Sequence, residues 1–202
     1  MNYGFDFLNQ WVSYLELVAM LSGLIGVWLT LKQNVWCFPV GILNVALYAW
    51  IFFTPDIRLY ADAILQCIYL LLLIFGWYVW THSDSNKKFI KPGASSGLHL
   101  IRTLAITFIV AILSGWFLNK YTNASLPFLD AALSSVSLAA QWLVAKKKIE
   151  NWILWIIVDV VYIPVYLSKD LPLTAFLYFL FLLLAIKGWK EWHKNLKAEI
   201  HA

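Results

Sequence analysis

Charged side chains are scarce in this sequence, and their scarcity decides the class of protein. Asp, Glu, Lys and Arg make up 13% of the 202 residues, whereas soluble domains carry about a quarter of such residues. Hydrophobic residues account for 62% of the chain, so no part of it is polar enough for a separate soluble domain. These proportions exclude an ordinary soluble fold and predict an all-α integral membrane protein with a single membrane domain, 1–202.

Cysteine and histidine are also scarce, which bears on metals and covalent cross-links. The two cysteines, Cys37 and Cys67, both fall inside apolar runs, where we expect small core residues rather than a disulfide or a metal pair. The four histidines are scattered, and no H-x-x-x-H or C-x-x-C spacing occurs. We therefore expect no metal site, no cofactor and no catalytic residues.

Long polar segments are missing, and apolar runs take their place. Seven runs are long enough to span a bilayer, for which about 17 to 25 residues are needed. Because several links between the runs are very short, neighbouring spans must be antiparallel. The predicted spans are 14–31, 36–53, 60–80, 98–117, 127–145, 151–168 and 171–190.

Basic residues are concentrated in the links on one side of the predicted membrane. The formal charge of +4 does not indicate nucleic-acid binding, because the lysines form short clusters between apolar runs. The first twelve residues contain neither Lys nor Arg, so no cleavable signal peptide is expected. With the N-terminus outside, the inner links and tail hold twelve Lys and Arg residues and the outer links hold three. The positive-inside rule then predicts a multi-pass protein with its C-terminus in the cytoplasm.

The sequence repeats itself at long range. Leu-Glu at 15–16 and Leu-Asp at 129–130 are each followed by Trp-Leu at the same distance, and Gly-Trp-x-x-Trp closes each half. We divide the chain into two three-span repeats, 14–80 and 127–192, joined by a connector span at 98–117. A single connector leaves both triplets in the same orientation. Such a 3+1+3 parallel repeat places the substrate site of a transporter between the halves, near the midplane.

The sixth predicted span carries an acid in its middle. Ile, Leu and Val cover one face of this helix. The other face, which we interpret as one wall of a solute site, carries Trp152, Trp155, Asp159, Tyr162 and Tyr166. At about 1.5 Å of rise per residue, Asp159 lies about 10 Å inside Trp152. An unpaired carboxylate at that depth is costly in lipid, so we expect it to face protein, water or a ligand.

Polar residues of three other spans are expected at the same site. These are Asn44 and Tyr48 in the second span, Gln66 in the third, and Thr174 and Tyr178 in the seventh. Aromatic walls with a few amide, hydroxyl and carboxylate groups suit a flat, polar and cationic ring. The alternative for the amides is a hydrogen bond between helices that has no role in binding.

Tryptophans at the ends of the spans have two interpretations. Trp152 lies at a span end, where both an interfacial position and a binding role are open, whereas Trp155 lies one turn deeper and favours the site. The remaining tryptophans at span ends are expected to form an interfacial belt: Trp36, Trp77, Trp80, Trp189 and Trp192.

Two stretches of the sequence resemble the PnuC family of bacterial vitamin transporters. The first is W-x-x-W-x-x-x-D at 152–159, with K-K-I-E-N-W before it and L-T-A-F-L-Y after it. The second is R-L-Y-A-D-A-I-L-Q at 58–66, which closes in G-W-Y-V-W. The similarity covers about residues 11–192. It implies a SWEET-like homotrimer in the bacterial inner membrane that moves nicotinamide riboside by facilitated diffusion (uniport), with a cytoplasmic kinase trapping the riboside.

The resemblance also implies roles for individual positions. Related transporters for thiamine and riboflavin share this scaffold, and a carboxylate suits the thiamine cation as well. Thiamine or another B-vitamin therefore stays an alternative substrate. The matches are Trp152, Trp155 and Asp159 in the substrate motif of the sixth span, Asn44 and Tyr48 in its second-span counterpart, and Gln66 and Tyr178 at polar site positions.

A membrane-embedded enzyme or a sugar channel is the alternative from a different class. An enzyme needs a paired nucleophile and base, or a metal cluster, within reach of its substrate. The sequence shows neither pattern. We therefore expect a transporter rather than an enzyme.

Overall fold

The computed structural model describes residues 3–7, 10–54, 60–82, 91–122 and 124–200. These residues form two strands, β1 (Gly4–Phe7) and β2 (Gln10–Ser13), followed by seven helices. Each predicted span is a helix, so the predicted helical membrane fold is confirmed. The helices are α1 (Tyr14–Leu31), α2 (Cys37–Phe53), α3 (Tyr60–Thr81), α4 (Gly97–Tyr121), α5 (Pro127–Ala145), α6 (Asn151–Ser168) and α7 (Pro172–Ile200).

Sequence signals set the ends of several helices. The Ser13 hydroxyl accepts a hydrogen bond from the Glu16 backbone N–H at 3.1 Å and so caps α1, and Ser96 caps α4 in the same way. Pro127 opens α5, where its missing N–H costs little. α7 continues beyond the predicted span to Ile200, because the Lys, Glu, Leu and Ala residues after the apolar run are good helix formers.

The helices are suited to a bilayer in length and in surface. Six of the described helices are long and apolar enough to cross a membrane. α2 has 17 residues, which is about 26 Å of helix and lies at the lower limit for a span. Large hydrophobic side chains are exposed on the outside of the bundle, as expected for a surface in contact with lipid.

A β-hairpin precedes α1, and the sequence analysis did not predict it. β1 pairs antiparallel with β2, with Gly4 opposite Ser13, and the residues between the strands lie outside the described ones. The Tyr14 N–H donates to the Tyr3 carbonyl at 3.0 Å, so the hairpin leads directly into α1. Strands of four residues are too short for their alternation of apolar and polar residues to be recognised as a pattern.

Six of the helices form a closed ring, which we call the helix ring. In the first half (α1–α3), α2 packs between α1 and α3, and in the second half (α5–α7), α6 packs between α5 and α7. Contacts of α3 with α5 and of α7 with α1 close the ring, and α4 lies outside it against α5. This is the predicted 3+1+3 arrangement, and it places α2 and α6 on opposite sides of a common interior.

The two halves run in the same direction, and matching turns follow their first helices. Gln33 after α1 and Lys147 after α5 both have a left-handed backbone, with φ of 56° and 54°. The backbone N–H groups of Asn34 and Lys148 each donate to the carbonyl five residues earlier, at 2.9 and 2.8 Å. Because α3 ends on the same side as α1, and an indole at the end of α3 donates to the last turn of α5, both turns lie at one end of the helix ring, which we call the basic end because of its lysines. The opposite end is the hairpin end.

Two tryptophans join the halves at the basic end. The Trp80 indole donates from Nε1 to the Val144 carbonyl at 3.2 Å, and the Trp192 indole donates to the Leu31 carbonyl at 3.1 Å. Each bond links the third helix of one half to the last turn of the first helix of the other half. The two residues are 4% and 0% exposed, so the expectation that Trp80 and Trp192 belong to an interfacial belt is wrong. Their indole N–H groups donate to carbonyls in the last turns of helices instead of to lipid headgroups.

Four aromatic rings fill the interior of the helix ring at the basic end. We call Phe38, Trp80, Trp192 and Trp152 the aromatic plug. Phe38 and Trp80 meet edge to face at 5.0 Å, Trp80 and Trp192 lie 6.3 Å apart, and Trp192 meets Trp152 edge to face at 5.4 Å between ring centroids. The series runs from α2 through α3 and α7 to α6 and so crosses the interior. The helix ring is closed at this end.

Lys147 lies against the aromatic plug, and its burial predicts a pH dependence of stability. Its Nζ is 4.4 Å from the centroid of the Trp80 ring, and the residue is 6% exposed. Burial lowers the pKa of Lys147 from 10.5 to about 8, a larger effect than that of the nearby Cys37, which raises it. Between these pH values the unfolded chain binds more protons than the folded protein. The contribution of Lys147 to the free energy of unfolding should therefore rise from pH 8 to pH 10.5.

Melting temperatures of the wild type and a Lys147→Met variant, measured in detergent, check this expectation. The variant buries no ammonium group, so its advantage over the wild type should be largest near about pH 7 and should shrink toward about pH 10. Lys169→Met removes a lysine from an exposed position of the α6–α7 turn and is the matched control. A difference between Lys147→Met and the wild type that stays constant from about pH 7 to about pH 10 would contradict a charged ammonium buried against the plug.

Candidate solute site

α6 turns Asp159 toward the interior of the helix ring. Ile153, Ile157 and Val160 are exposed on the outer face of α6, at the spacing of a single helix face. Asp159 lies away from that face and is 2% exposed. Along the helix it lies between Trp152 of the aromatic plug, about 10 Å away, and Tyr162, about 4.5 Å away in the other direction.

The Asp159 carboxylate has no partner among the residues that the structure describes. Neither a hydrogen bond nor an ion pair to it is found within 3–7, 10–54, 60–82, 91–122 and 124–200. A carboxylate that is both buried and unpaired is costly, and in membrane proteins such groups mark solute or ion sites. Burial of this side chain therefore favours binding of a solute that carries a positive charge or a hydrogen-bond donor, since the described residues supply neither.

α2 presents polar and aromatic groups from the opposite side of the ring. Asn44 lies half-buried and donates from Nδ2 to the Ala19 carbonyl of α1 at 2.6 Å. One turn further along, Tyr48 is half-buried and stacks on Phe52, with 5.7 Å between ring centroids. Since the amide is bonded to α1 through its nitrogen, only its oxygen is left to accept a hydrogen bond from a solute.

Three tyrosines of α6 and α7 form one group, which we call the tyrosine cluster. Tyr162 and Tyr178 lie 4.8 Å apart between ring centroids, Tyr162 and Tyr166 lie 5.4 Å apart, and Tyr166 and Tyr178 lie 5.1 Å apart. Phe181 meets Tyr178 edge to face at 5.9 Å. The structure thus brings the predicted Tyr162 and Tyr178 together. Tyr166, which the sequence analysis placed on the same face of the sixth span, lies one helical turn beyond Tyr162 and completes the cluster.

The two predicted tryptophans of α6 are placed differently from each other. Trp152 is 1% exposed and belongs to the aromatic plug, with its ring against Gly188 and Trp192. Its indole N–H is buried without an acceptor among the described residues. Trp155 is half-buried and packs against a cluster of apolar residues from α5 and α6. Trp152 therefore closes the basic end, whereas Trp155 lies one turn closer to Asp159, and its place in the solute site stays a prediction.

Gln66 and Thr174 are the predicted positions with the least structural detail. Both side chains are half-buried, Gln66 in α3 and Thr174 in α7. Within the described ranges, neither makes a recorded hydrogen bond with Asn44, Asp159 or the tyrosine cluster. Their place in the solute site stays a prediction.

Serines of α5 add hydroxyl groups that the sequence analysis did not include. Ser137 interacts with the Tyr69 side chain of α3, and Ser134 interacts with Tyr162. The signal in the sequence was the polar run S-S-V-S at 134–137, within an otherwise apolar span. Hydroxyls with small side chains allow α5 to lie close to its neighbours and give the tyrosines hydrogen-bonding partners.

The described interior combines aromatic walls, hydroxyls, one amide and one carboxylate. Among the described residues, no group of three or more His, Cys, Asp or Glu side chains could hold a metal ion. The carboxylate lies between two aromatic layers, the aromatic plug toward the basic end and the tyrosine cluster toward the hairpin end. This arrangement can hold a flat, positively charged solute by stacking, hydrogen bonds and charge neutralisation.

Comparison with known proteins identifies the family. Residues 13–194 match the family described as nicotinamide mononucleotide transporter. The nicotinamide riboside transporter PnuC of Escherichia coli K12 is 25% identical, over 90% of this chain and 85% of that protein. The riboflavin/roseoflavin transporter RibM of Streptomyces davaonensis is 23% identical, over 93% of this chain and 88% of that protein.

A solved structure shows the same fold. The crystal structure of the vitamin B3 transporter PnuC superposes with a TM-score of 0.73 at 23% identity, covering 92% of this chain and 83% of that one. The SWEET-like arrangement of seven helices fits this likeness. The chain thus belongs to the nicotinamide mononucleotide transporter family, to which PnuC belongs, and is a multi-pass membrane transporter rather than an enzyme.

Proposed function

We propose that this transporter carries nicotinamide riboside across the cytoplasmic membrane. The observation that carries the proposal is Asp159, a buried carboxylate without a partner among the described residues, next to the tyrosine cluster. The riboside brings a positively charged pyridinium ring, which supplies both the missing charge and a surface for stacking. Burying a cation or a carboxylate alone costs much free energy, and burying the two side by side costs far less.

The same carboxylate favours the riboside over the mononucleotide. A phosphate group adds at least one negative charge to the solute, and like charges in an interior of low polarity repel each other strongly. Among the described residues, no Lys or Arg lies at the depth of Asp159 to offset that charge, because the lysines of the ring lie at its ends. A riboside without phosphate avoids this repulsion.

We also propose that transport is uniport, that is, facilitated diffusion without a coupled ion. Asp159 is the one acid at mid-depth in the described helices, whereas Glu16, Asp62 and Asp130 lie in the first turns at the hairpin end. A second acid beside it, as expected for coupling to protons or sodium, is missing from that level. Phosphorylation of the riboside by a cytoplasmic kinase then prevents its return and draws uptake forward.

The orientation and the assembly are proposals as well. The excess of Lys and Arg at the basic end favours a cytoplasmic location for that end, with the N-terminus outside. The aromatic plug would then close the cytoplasmic side. We propose a homotrimer, supported by the resemblance and by the apolar outer face of α4, where Ile101, Leu104 and Phe108 are exposed. A mass of about three chains per particle in detergent, without lipid, is the expected result.

A second candidate substrate is thiamine, and the same observation favours it. Thiamine also carries a ring with a permanent positive charge, so an unpartnered carboxylate suits it equally. Riboflavin, the substrate named for RibM, has no such charge and so cannot neutralise the Asp159 carboxylate. The choice between the two cations depends on hydrogen bonds at the rest of the site.

Thermal stabilisation by a panel of vitamins tests the proposed function. A ligand that binds only the folded protein stabilises it, by about 2.7 kcal/mol at a hundredfold excess over the dissociation constant. This stabilisation raises the melting temperature. We expect a dose-dependent rise with nicotinamide riboside and little change with riboflavin or the mononucleotide. A rise with thiamine alone would move the assignment to thiamine, and a rise with none of them would contradict a vitamin site.

A further inference from the structure

The Asn44 side chain is held in one orientation by α1. Its Nδ2 lies 2.6 Å from the Ala19 carbonyl, and a carbonyl can only accept a hydrogen bond, so the amide nitrogen must face α1. The Asn44 side-chain oxygen accepts no hydrogen bond from the described residues. The orientation of the amide therefore decides which of its two groups a solute meets.

Gly23 leaves the space that this orientation needs. A Cβ added at Gly23 would lie 3.1 Å from the Asn44 Nδ2 and 3.4 Å from Cζ of Phe181. The first distance is tighter than ordinary carbon–nitrogen contact, so the amide would have to shift. Phe181 in turn packs edge to face on Tyr178, so the same gap in α1 adjoins the tyrosine cluster.

The corresponding corner of the second half is built differently. Counted from the matching turns, Ser137 takes the place of Gly23, and Val158 takes the place of Asn44. There the polar contact is between Ser137 and Tyr69, and α6 contributes an apolar side chain. The two halves therefore offer different groups at the same level, and an asymmetric solute has one preferred orientation between them.

We infer that Gly23 is a positioning residue for Asn44 and that the amide oxygen it exposes selects solutes that carry a hydrogen-bond donor. Asn44 lies six residues beyond Phe38 of the plug and Asp159 lies seven residues beyond Trp152, about 9 and 10 Å along their helices. Both groups accept hydrogen bonds. The inference rests on the proposed function, because it assigns the carboxamide N–H₂ of the riboside, rather than its cationic ring, to Asn44.

Binding of the riboside to Gly23→Ala and Gly26→Ala, measured by titration calorimetry on the full chain in detergent, tests this inference. Gly26 lies on the same helix, and a Cβ there meets atoms no closer than 3.8 Å, so its variant should bind like the wild type. Gly23→Ala should weaken binding by about tenfold, as expected for one misplaced hydrogen bond. A riboside whose pyridinium lacks the carboxamide should bind the wild type and Gly23→Ala equally.

An Asn44→Leu variant provides a second route that leaves the residues of α1 unchanged. This variant should bind the riboside more weakly by a similar factor and should bind the analogue without the carboxamide as tightly as the wild type does. Adding Gly23→Ala to Asn44→Leu should cause no further loss, because the residue that Gly23 positions is gone. If the wild type binds no riboside, the proposed function fails. If the wild type binds it and Gly23→Ala or Asn44→Leu binds it equally well, the positioning role of Gly23 fails alone.

Discussion

Replacing Asp159 with Asn is expected to abolish binding and uptake of nicotinamide riboside. The substitution keeps the shape of the side chain and removes its charge, so the pyridinium would be buried without a counter-charge. Removing one partner of a buried ion pair costs about 3–5 kcal/mol, which corresponds to a loss of affinity of about a hundredfold or more. The unliganded variant should melt at the same or a higher temperature, since the wild-type carboxylate is buried without a partner among the described residues.

Uptake of labelled riboside into proteoliposomes and the shift of melting temperature with ligand measure these two effects separately. Asp170→Asn is the matched control, because it makes the same chemical change at an exposed position of the α6–α7 turn. The control should keep both uptake and stabilisation. Uptake by Asp159→Asn at the wild-type rate would show that the carboxylate is not the counter-charge of the solute.

The helices and the interior position of Asp159 follow from properties that are local in the sequence. A run of apolar residues predicts a span wherever it occurs, and an acid inside such a run is too costly to face lipid. The turns after α1 and α5 adopt the same backbone, and Trp-Leu precedes each of them at the same spacing. These features could be predicted without knowing which helices are in contact.

The partners of the tryptophans could not be predicted in this way. Trp80 and its acceptor Val144 are 64 residues apart, and Trp192 and its acceptor Leu31 are 161 residues apart. A tryptophan near the end of an apolar run has the same local pattern whether lipid headgroups or a carbonyl of another helix accept its N–H. Only the order of helices in the ring distinguishes the two cases. The same limit applies to Trp152, whose local pattern left an interfacial position and a binding role open. The structure packs it in the aromatic plug, and its role in binding stays a prediction.

Gly188→Ala is expected to lower the melting temperature by about 5 °C. Overpacking a core costs about 1–3 kcal/mol, and in a chain of this size each 1 kcal/mol of stability corresponds to about 2–4 °C in melting temperature. A Cβ at this position would lie 2.6 Å from atoms of the Trp152 ring. That ring has little room to move, because it is 1% exposed and meets Trp192 edge to face. The better helix propensity of Ala, about 1 kcal/mol, offsets only part of the cost.

Two further glycine variants separate the clash from the loss of glycine itself. A Cβ at Gly76 would lie 2.5 Å from the Phe38 ring, whereas one at Gly97 meets nothing within 4 Å. Melting curves should therefore show a fall for Gly76→Ala like that for Gly188→Ala, and no fall for Gly97→Ala. Equal melting temperatures for all three variants would contradict a tightly packed plug. A fall at Gly76 and Gly188 alone would show that each glycine lets its helix pack closely on one ring of the plug, Phe38 for Gly76 and Trp152 for Gly188.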